Sequence, residues 1–276
     1  VLTPGSITLD GALDSDKPNF LAGINILDDN AGLALLDIST GLFMVDEFDT
    51  KSLGEIFSFY SPSEILIPDS LKSTLSKIIA SSTSNSTLTP IDDYLFDMSL
   101  AFNHLTDHFK TSTLEGYGLG RISLALGAAG AVFSYVKDLK MGRIGQITRI
   151  QRIAREKSMD LDSATIKNLE LVESAAGTRF SLLSIIDKTS FAGGKRLLRN
   201  WLLAPMVDIE AIEARQNAVK AIINSPSIRN KIASSLKGLA DTERLASKVS
   251  MRKAGPRDLA HLKNSLAKIS EIKNFA

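Results

Sequence analysis

The sharpest chemical signal in the sequence is a single carboxylate. Asp37 closes the apolar run Leu33–Ala34–Leu35–Leu36 and is followed by Ile38–Ser39–Thr40–Gly41. Ribonuclease-H-like nucleases carry their first metal-binding aspartate near the end of a central strand, and two-metal hydrolysis then needs further carboxylates converging on it. Asp28, Asp29, Asp46, Glu64 and Asp69 supply the residue type. They fall at turns and strand ends, where acidic side chains are ordinary, and no spacing forces them together. His104 and His108 stand four apart on a predicted helix with Asp107 nearby, a separation that can turn two imidazoles toward one metal. A zinc-protease pattern needs Glu directly after its first His; Leu105 stands there, no third ligand is placed, and a solvated polar face is the simpler reading. With His261 the only other histidine, Ser-His-Asp catalysis finds little support.

Two glycine clusters invite a phosphate reading and fail it on spacing. Around Gly193–Gly194–Lys195–Arg196, Thr189 stands where a P-loop needs its first glycine, and Arg196 where it needs Ser or Thr. Gly194 reads instead as a helix start with close backbone packing. Gly116, Gly118 and Gly120 miss the dinucleotide fingerprint, because Arg121 takes the place of its third glycine and a helix comes before them. They read as a hinge. The 276 residues contain no cysteine, which excludes a thiol nucleophile, a thiolate metal site and a disulfide framework, and fits a reducing, cytoplasmic compartment.

The elements that position these residues change character along the chain. Phe20–Phe48 alternates apolar runs with Asp28–Gly32 and Ser39–Gly41, a β-meander whose Leu33–Leu36 segment is apolar enough to be buried on both faces. Residues 51–60 read as a helix and Glu64–Pro68 as a strand ended by proline. Ser81–Thr89, almost all Ser, Thr and Asn, reads as an exposed loop. Helical spacing of Leu95, Met98, Phe102, Leu105 and Phe109 covers Asp92–Phe109, and another helix covers Ile122–Leu139. The apolar stretch Leu124–Val136 falls short of the roughly 20 residues a membrane crossing needs, so it is read as a buried helix. From Met159 on, helical periodicity takes over in Thr165–Ala175, Gly194–Trp201, Ile209–Ile223, Ser227–Leu236 and Pro256–Ile272. Asp208 is placed to cap one of these helices, and Pro256 suits the first turn of the last. The expected architecture is α/β over 1–155, a mixed sheet with helices, followed by an all-α part over 156–276.

Charge is segregated the same way. Residues 1–110 hold 16 Asp and Glu against 5 Lys and Arg, whereas 111–276 hold 15 against 27, although the whole chain nets only +1. The basic second part suits a polyanion partner, or simply a solvated surface. Asp241–Thr242–Glu243–Arg244–Leu245 and Pro256–Arg257–Asp258–Leu259 mix opposite charges at helical spacing; ion pairs between helices and phosphate contacts from Arg244, Arg252 and Arg257 both remain open. The chain opens on Val1 with no basic and apolar leader, which points to a piece of a longer, non-secreted polypeptide.

Several strings taken together resemble the MutS DNA mismatch-repair family. They are Thr3–Pro4–Gly5, Leu36–Asp37–Ile38–Ser39–Thr40–Gly41, Met159–Thr165 with Asn168–Leu171, Ser181–Leu183, Leu197–Leu202, Pro205, Arg215–Val219, Asp241–Leu245 and Pro256–Leu259, in order along nearly the whole chain. The departures are small: Ser6 stands where threonine is usual, and Phe191–Ala192–Gly193 where Thr-x-Met is commoner. The resemblance implies a connector domain with a ribonuclease-H-like fold and no nuclease activity over 1–155, followed by the start of the helical core, or lever, over 156–276. It makes Asp37, Gly194, Arg196, Trp201, Arg244, Arg257 and Asp258 structural family positions. From the residues themselves, Arg196, Arg199 and Trp201 read as packed within the core, since a helix with Leu197, Leu198 and Leu202 beside them buries most of its surface.

The family also implies a parent that binds mismatched double-stranded DNA as a homodimer, uses ATP and magnesium, and contacts MutL. Asn103 and His104, on a polar face opposite Phe102, Leu105 and Phe109, are the candidates for that contact. No catalytic, cofactor or metal residue is expected in these 276 residues, and no membrane partner; lever helices lacking their neighbours would favour self-association. Two other classes stay in view from the residues alone: a metal-dependent ribonuclease-H-like nuclease and a basic helical nucleic-acid-binding module.

Overall fold

The computed structural model describes residues 3–7, 13–14, 17–80, 86–119, 123–139, 143–153, 158–159, 161–174 and 180–274. The chain forms two compact units. The first takes in Val1–Asp14, Pro18–Ile153 and Ser250–Arg252, and the second Ser15–Lys17, Ala154–Val249 and Lys253–Ala276.

The first unit is built on the meander β1 (Phe20–Leu27), β2 (Asn30–Asp37) and β3 (Leu42–Asp49), paired antiparallel from Phe20↔Asp37 to Leu27↔Asn30 and from Asn30↔Asp49 to Asp37↔Leu42. Asp28, in the left-handed region at φ 55°, makes the first turn, a conformation aspartate tolerates because its short polar side chain bonds locally. After α1 (Leu53–Tyr60) the chain adds β4 (Glu64–Pro68) parallel to β1, and after α2 (Lys72–Ala80) β5 (Thr87–Ile91) parallel to β4. Then come α3 (Met98–Phe109), α4 (Ser123–Leu139) and a two-residue edge strand β6 (Gln151–Arg152) parallel to β3. The six strands run β5-β4-β1-β2-β3-β6.

Side chains alternate across this sheet, and both faces are covered. Ala34, Leu36, Phe43 and Val45 join the cluster formed with α3 and α4. Ala31, Leu33, Leu35 and Ile24 join the opposite cluster with Leu53, Ile56 and Phe57 of α1 and Leu75 of α2. Burial of β2 from Ala31 through Asp37 is therefore what its apolar run requires. The approach of α4 is close. A Cβ on Gly32 would lie 2.1 Å from the Leu124 carbonyl carbon, and one on Gly130 would lie 2.3 Å from Ala101 Cβ of α3.

Three sequence expectations are corrected here. Within Ser81–Thr89, residues 81–85 lie outside the described residues, but Thr87–Ile91 is a strand, not loop: Thr-Leu-Thr-Pro-Ile carries β-branched residues, and an edge position tolerates Pro90. Asp92–Phe109 is a 3₁₀ turn (Asp93–Phe96) and then α3, whose first turn Asp97 caps by accepting the Leu100 N–H at 2.8 Å. The buried face of α3 is Ala101 and Leu105, not a face centred on Phe102, because the close crossing at Gly130 admits only the small Ala101 and turns Phe102 outward.

The second unit is helical: α5 (Ser163–Asn168), α6 (Leu182–Ile186), α7 (Ala192–Leu203), α8 (Ile209–Asn224), α9 (Pro226–Leu236), α10 (Thr242–Ser250) and α11 (Pro256–Lys273). Its only β pairing among the described residues is one bridge, Ser158↔Met206. Asp208 caps α8 through Glu210 N, and prolines occupy the first turns of α9 and α11, as their positions predict. Thr165–Ala175 is shorter than its periodicity suggests, because Glu170 turns left-handed at φ 48° directly after α5; Ala175 itself lies outside the described residues. α11 packs on α9 and α9 on α8. Among the described residues no helix is long and apolar enough to cross a membrane.

Replacing Gly32 with alanine forces a methyl into the α4 backbone, with expected destabilisation of about 2 kcal/mol or more. Gly116→Ala, with nothing within 4 Å of the added methyl, should stay within about 0.5 kcal/mol. Urea midpoints of the two variants compare them directly.

Candidate functional site

Asp37 is fully buried, and both its oxygens are occupied by protein donors. Oδ1 accepts the Ser39 N–H at 2.8 Å and the Ser39 hydroxyl at 2.6 Å, while Oδ2 accepts the Asn19 N–H at 3.3 Å. Its carbonyl accepts the N–H groups of Thr40 and Gly41, which closes the β2–β3 turn; Gly41 is needed there because φ is 78° and a Cβ would stand 2.3 Å from the Gln146 oxygen. Of the other five carboxylates two are engaged elsewhere, and Asp28, Asp29 and Asp69 are exposed. Asp46 pairs with Arg152 at 3.0 Å, and Glu64 accepts from Gly5, Thr89 and Tyr135. Among the described residues no three His, Asp or Glu side chains gather as a metal site.

On α3 the two histidines diverge. His104 Nδ1 lies 3.0 Å from Ser134 Oγ of α4, whereas His108 donates Nε2–H to the Ile147 carbonyl at 2.7 Å and packs its ring against Phe109 and Phe133. Neither forms a solvated polar face or a metal pair. Asn103 is exposed and His104 half-buried, so these two candidates do not share one free surface. What α3 presents outward is apolar: Tyr94, Met98 and Phe102, spaced four apart, are three of the four large exposed hydrophobic side chains described in this unit. Asp93, Asp97 and Asp107 are exposed on the same stretch.

In the second unit the strongest polar feature joins α7 to α10. Arg196 on α7 is 7% exposed and donates two hydrogen bonds to Asp241, at 2.7 and 2.9 Å, and a third to Glu243 at 2.6 Å. This is the fork geometry that makes arginine a better partner than lysine for a buried carboxylate. Asp241 also accepts the Arg244 N–H at 3.3 Å at the start of α10, and Arg244 reaches the Lys17 carbonyl at 3.0 Å. Burial pushes the Asp241 carboxyl up, but the Arg196 guanidinium outweighs it and holds the group below its ordinary 3.8. Gly194 sits in the first turn of α7, where an added Cβ would come 3.3 Å from both Phe191 and Thr189; that is the close packing its sequence context suggests.

Trp201 departs from the expected core position. It is 39% exposed, and the Arg215 guanidinium carbon from α8 stands 3.6 Å from its ring centroid. α7 buries Arg196 and Leu203 and leaves the opposite ridge, Leu197 and Trp201, at the surface. Asp258 accepts the Gly255 N–H at 3.0 Å ahead of α11 and meets Lys248 at 3.4 Å, while Arg257 is exposed. Of the hinge glycines, Gly118 is left-handed at φ 76°, and Gly120 lies outside the described residues.

Two family models match side by side along the chain: MutS domain II over residues 19–148 and MutS domain III over residues 164–276. The chain belongs to the MutS family. It is 35% identical over its full length to the DNA mismatch repair protein MutS of Christiangramia forsetii, 34% to that of Flavobacterium johnsoniae, and 34% over 99% of its length to one from Dehalococcoides mccartyi. It spans 31%, 32% and 31% of these relatives, about a third of their length. As a MutS segment it has the architecture the resemblance implies, a mixed sheet with helices followed by a helical part, and a nuclease reading is not favoured.

Sequence reasoning missed the Arg196–Asp241 pairing, since 45 residues separate the partners; the visible signal was an Asp-Thr-Glu run ahead of a helical stretch. Arg196→Ala strands a part-buried carboxylate and should cost about 3 kcal/mol. Because the folded Asp241 value is depressed, its contribution is complete at neutral pH and is lost as pH falls below about 4. Thermal melts from pH 7 to 3 should show wild type losing stability in that range, and Arg196→Ala losing less.

Proposed function

We propose that residues 1–155 act as the connector and residues 156–276 as the first part of the helical core of a MutS-type mismatch sensor, with the chain serving as a mechanical link. The observation that carries this reading is the pair of adjacent family matches, to domains II and III, within one chain. It agrees with the internal construction. One unit has a sheet closed on both faces by helices, and the other has helices joined by a buried, doubly bonded arginine. Such parts are suited to moving as rigid bodies. In this reading ATP, magnesium, mismatched duplex and the second protomer of a homodimer are handled by the intact protein, and this segment holds none of the chemistry.

The flexible element in this reading is Gly116–Gly120; the open space around Gly116 and the left-handed turn at Gly118 support it. In the intact protein, amide exchange over residues 114–122 should change on adding ATP; identical exchange with and without nucleotide would remove the coupling role from this segment.

The MutL contact is assigned to the outward ridge of α3, with Phe102 and Met98 as apolar anchors beside Asn103. His104, tied to Ser134, supports the helix rather than the partner. In binding assays between intact protein and MutL, Phe102→Glu combined with Asn103→Lys should weaken binding about tenfold or more. Undiminished affinity would place the contact elsewhere.

A further inference from the structure

Glu64 opens β4 and is 1% exposed, yet the three partners recorded for its carboxylate are all neutral. Oε2 accepts the Gly5 N–H at 3.0 Å, and Oε1 accepts the Thr89 hydroxyl at 2.8 Å and the Tyr135 hydroxyl at 2.9 Å. A buried carboxylate is tolerated only when its acceptor sites are filled, so each donor matters more here than at a surface. The donors come from three separate pieces of chain: the amino-terminal turn, the edge strand β5 and the central helix α4.

The amino-terminal piece is a single 3₁₀ turn, Pro4–Ser6, that joins no strand. Its internal bonds run from Ser6 N–H to the Thr3 carbonyl and from Thr3 N–H to Ser6 Oγ, both 2.9 Å, and Asn19 Nδ2 donates to the Pro4 carbonyl at 3.1 Å. Gly5 and Ser6 are buried. The fit over Gly5 is tight: a Cβ there would lie 2.9 Å from Glu64 Cβ and 2.9 Å from Leu21 Cδ1.

We propose that Thr3–Ser6 is a strap that seats on β1 and β4 and opens and closes as a unit, with the Glu64 carboxylate as its latch. A turn held by side-chain chemistry rather than by ladder bonds can release without unzipping the sheet, because β1 keeps its pairing with β2 and β4 throughout. When the strap lifts, Thr89 and Tyr135 stay on Oε1, while Oε2 exchanges the Gly5 N–H for solvent and the Asn19–Pro4 bond opens with it. Burial pushes the Tyr135 phenol up to about 12, against a hydrogen bond with Thr3 that lowers it and with the neighbouring Glu64 carboxylate adding to the rise, so the phenol is a donor at neutral pH. This device is independent of the mismatch-repair reading.

The test is amide exchange measured by NMR on the 276-residue chain and on two variants, Glu64→Gln and Gly5→Ala. Glu64→Gln keeps the volume and removes the charge, and Gly5→Ala blocks the seat while leaving the latch intact. Expected is an increase of about tenfold or more at the Gly5 and Ser6 amides in both variants, with β1 and β2 amides unchanged within about twofold. Unchanged Gly5 and Ser6 exchange in Glu64→Gln overturns the latch, even if Gly5→Ala opens the turn. Parallel acceleration of the β1 and β2 amides overturns it too, since Glu64 would then be an ordinary member of the core.

Discussion

Everything in the first unit depends on how closely α4 can lie on the sheet. Gly32 on β2 leaves no room for a methyl beneath the start of the helix, and Gly130 leaves none between α4 and α3. Two close approaches in series fix the heights of both helices, and an interior packed at crystal-like density leaves no slack to correct them. Glu47 of β3 completes the arrangement by accepting the N–H groups of Leu124 and Ala125 at 2.6 and 3.1 Å, donors that the helix's own ladder cannot satisfy. The outward turn of Phe102 is a consequence of this geometry, since only alanine fits at the crossing.

The second unit is held together by different means. Among its described residues few side chains are fully buried, and apolar residues such as Val219, Ile222 and Ile223 of α8 lie at the surface. Its α7–α10 contact instead centres on an arginine whose charge is matched by two carboxylates. Such a contact is specific in direction and sensitive to loss of either partner, while adding little net stability over an apolar equivalent. A pairing of that kind fixes orientation between helices more than it holds them shut.

Much of this was legible in the sequence, for identifiable reasons. The meander, the doubly buried β2 and the long apolar α4 follow from runs whose period and length admit few alternatives, and Asp208 and Pro256 mark helix starts by local chemistry alone. Thr87–Ile91 was hidden because an edge strand needs no apolar face and tolerates proline. Periodicity puts Phe102, and the leucines beside it put Trp201, on a buried face; neither signal tells which neighbour is small enough to be approached. His104 and His108 looked alike in spacing, yet one turns toward Ser134 and the other toward the Ile147 carbonyl, a difference carried wholly by residues 30 and 39 positions away.

The acidic residues show most clearly why a chemical reading of this sequence fails. Asp37 and the carboxylates at turns and strand ends supply the residue type that metal binding needs, but this fold uses carboxylates, Asp37 among them, as acceptors for backbone N–H groups. Asp37 serves Ser39 and Asn19, Glu47 serves α4, Asp97 serves α3, Asp162 serves α5, Asp241 serves α10 and Asp258 serves Gly255. An ionised oxygen that already accepts one or two such bonds in a fixed direction has lost much of its freedom to turn toward a cation, and moving it would leave a main-chain donor unsatisfied. In residues 1–110, Asp37, Glu47 and Asp97 are consumed in this way as structure, at positions where turns and helices begin.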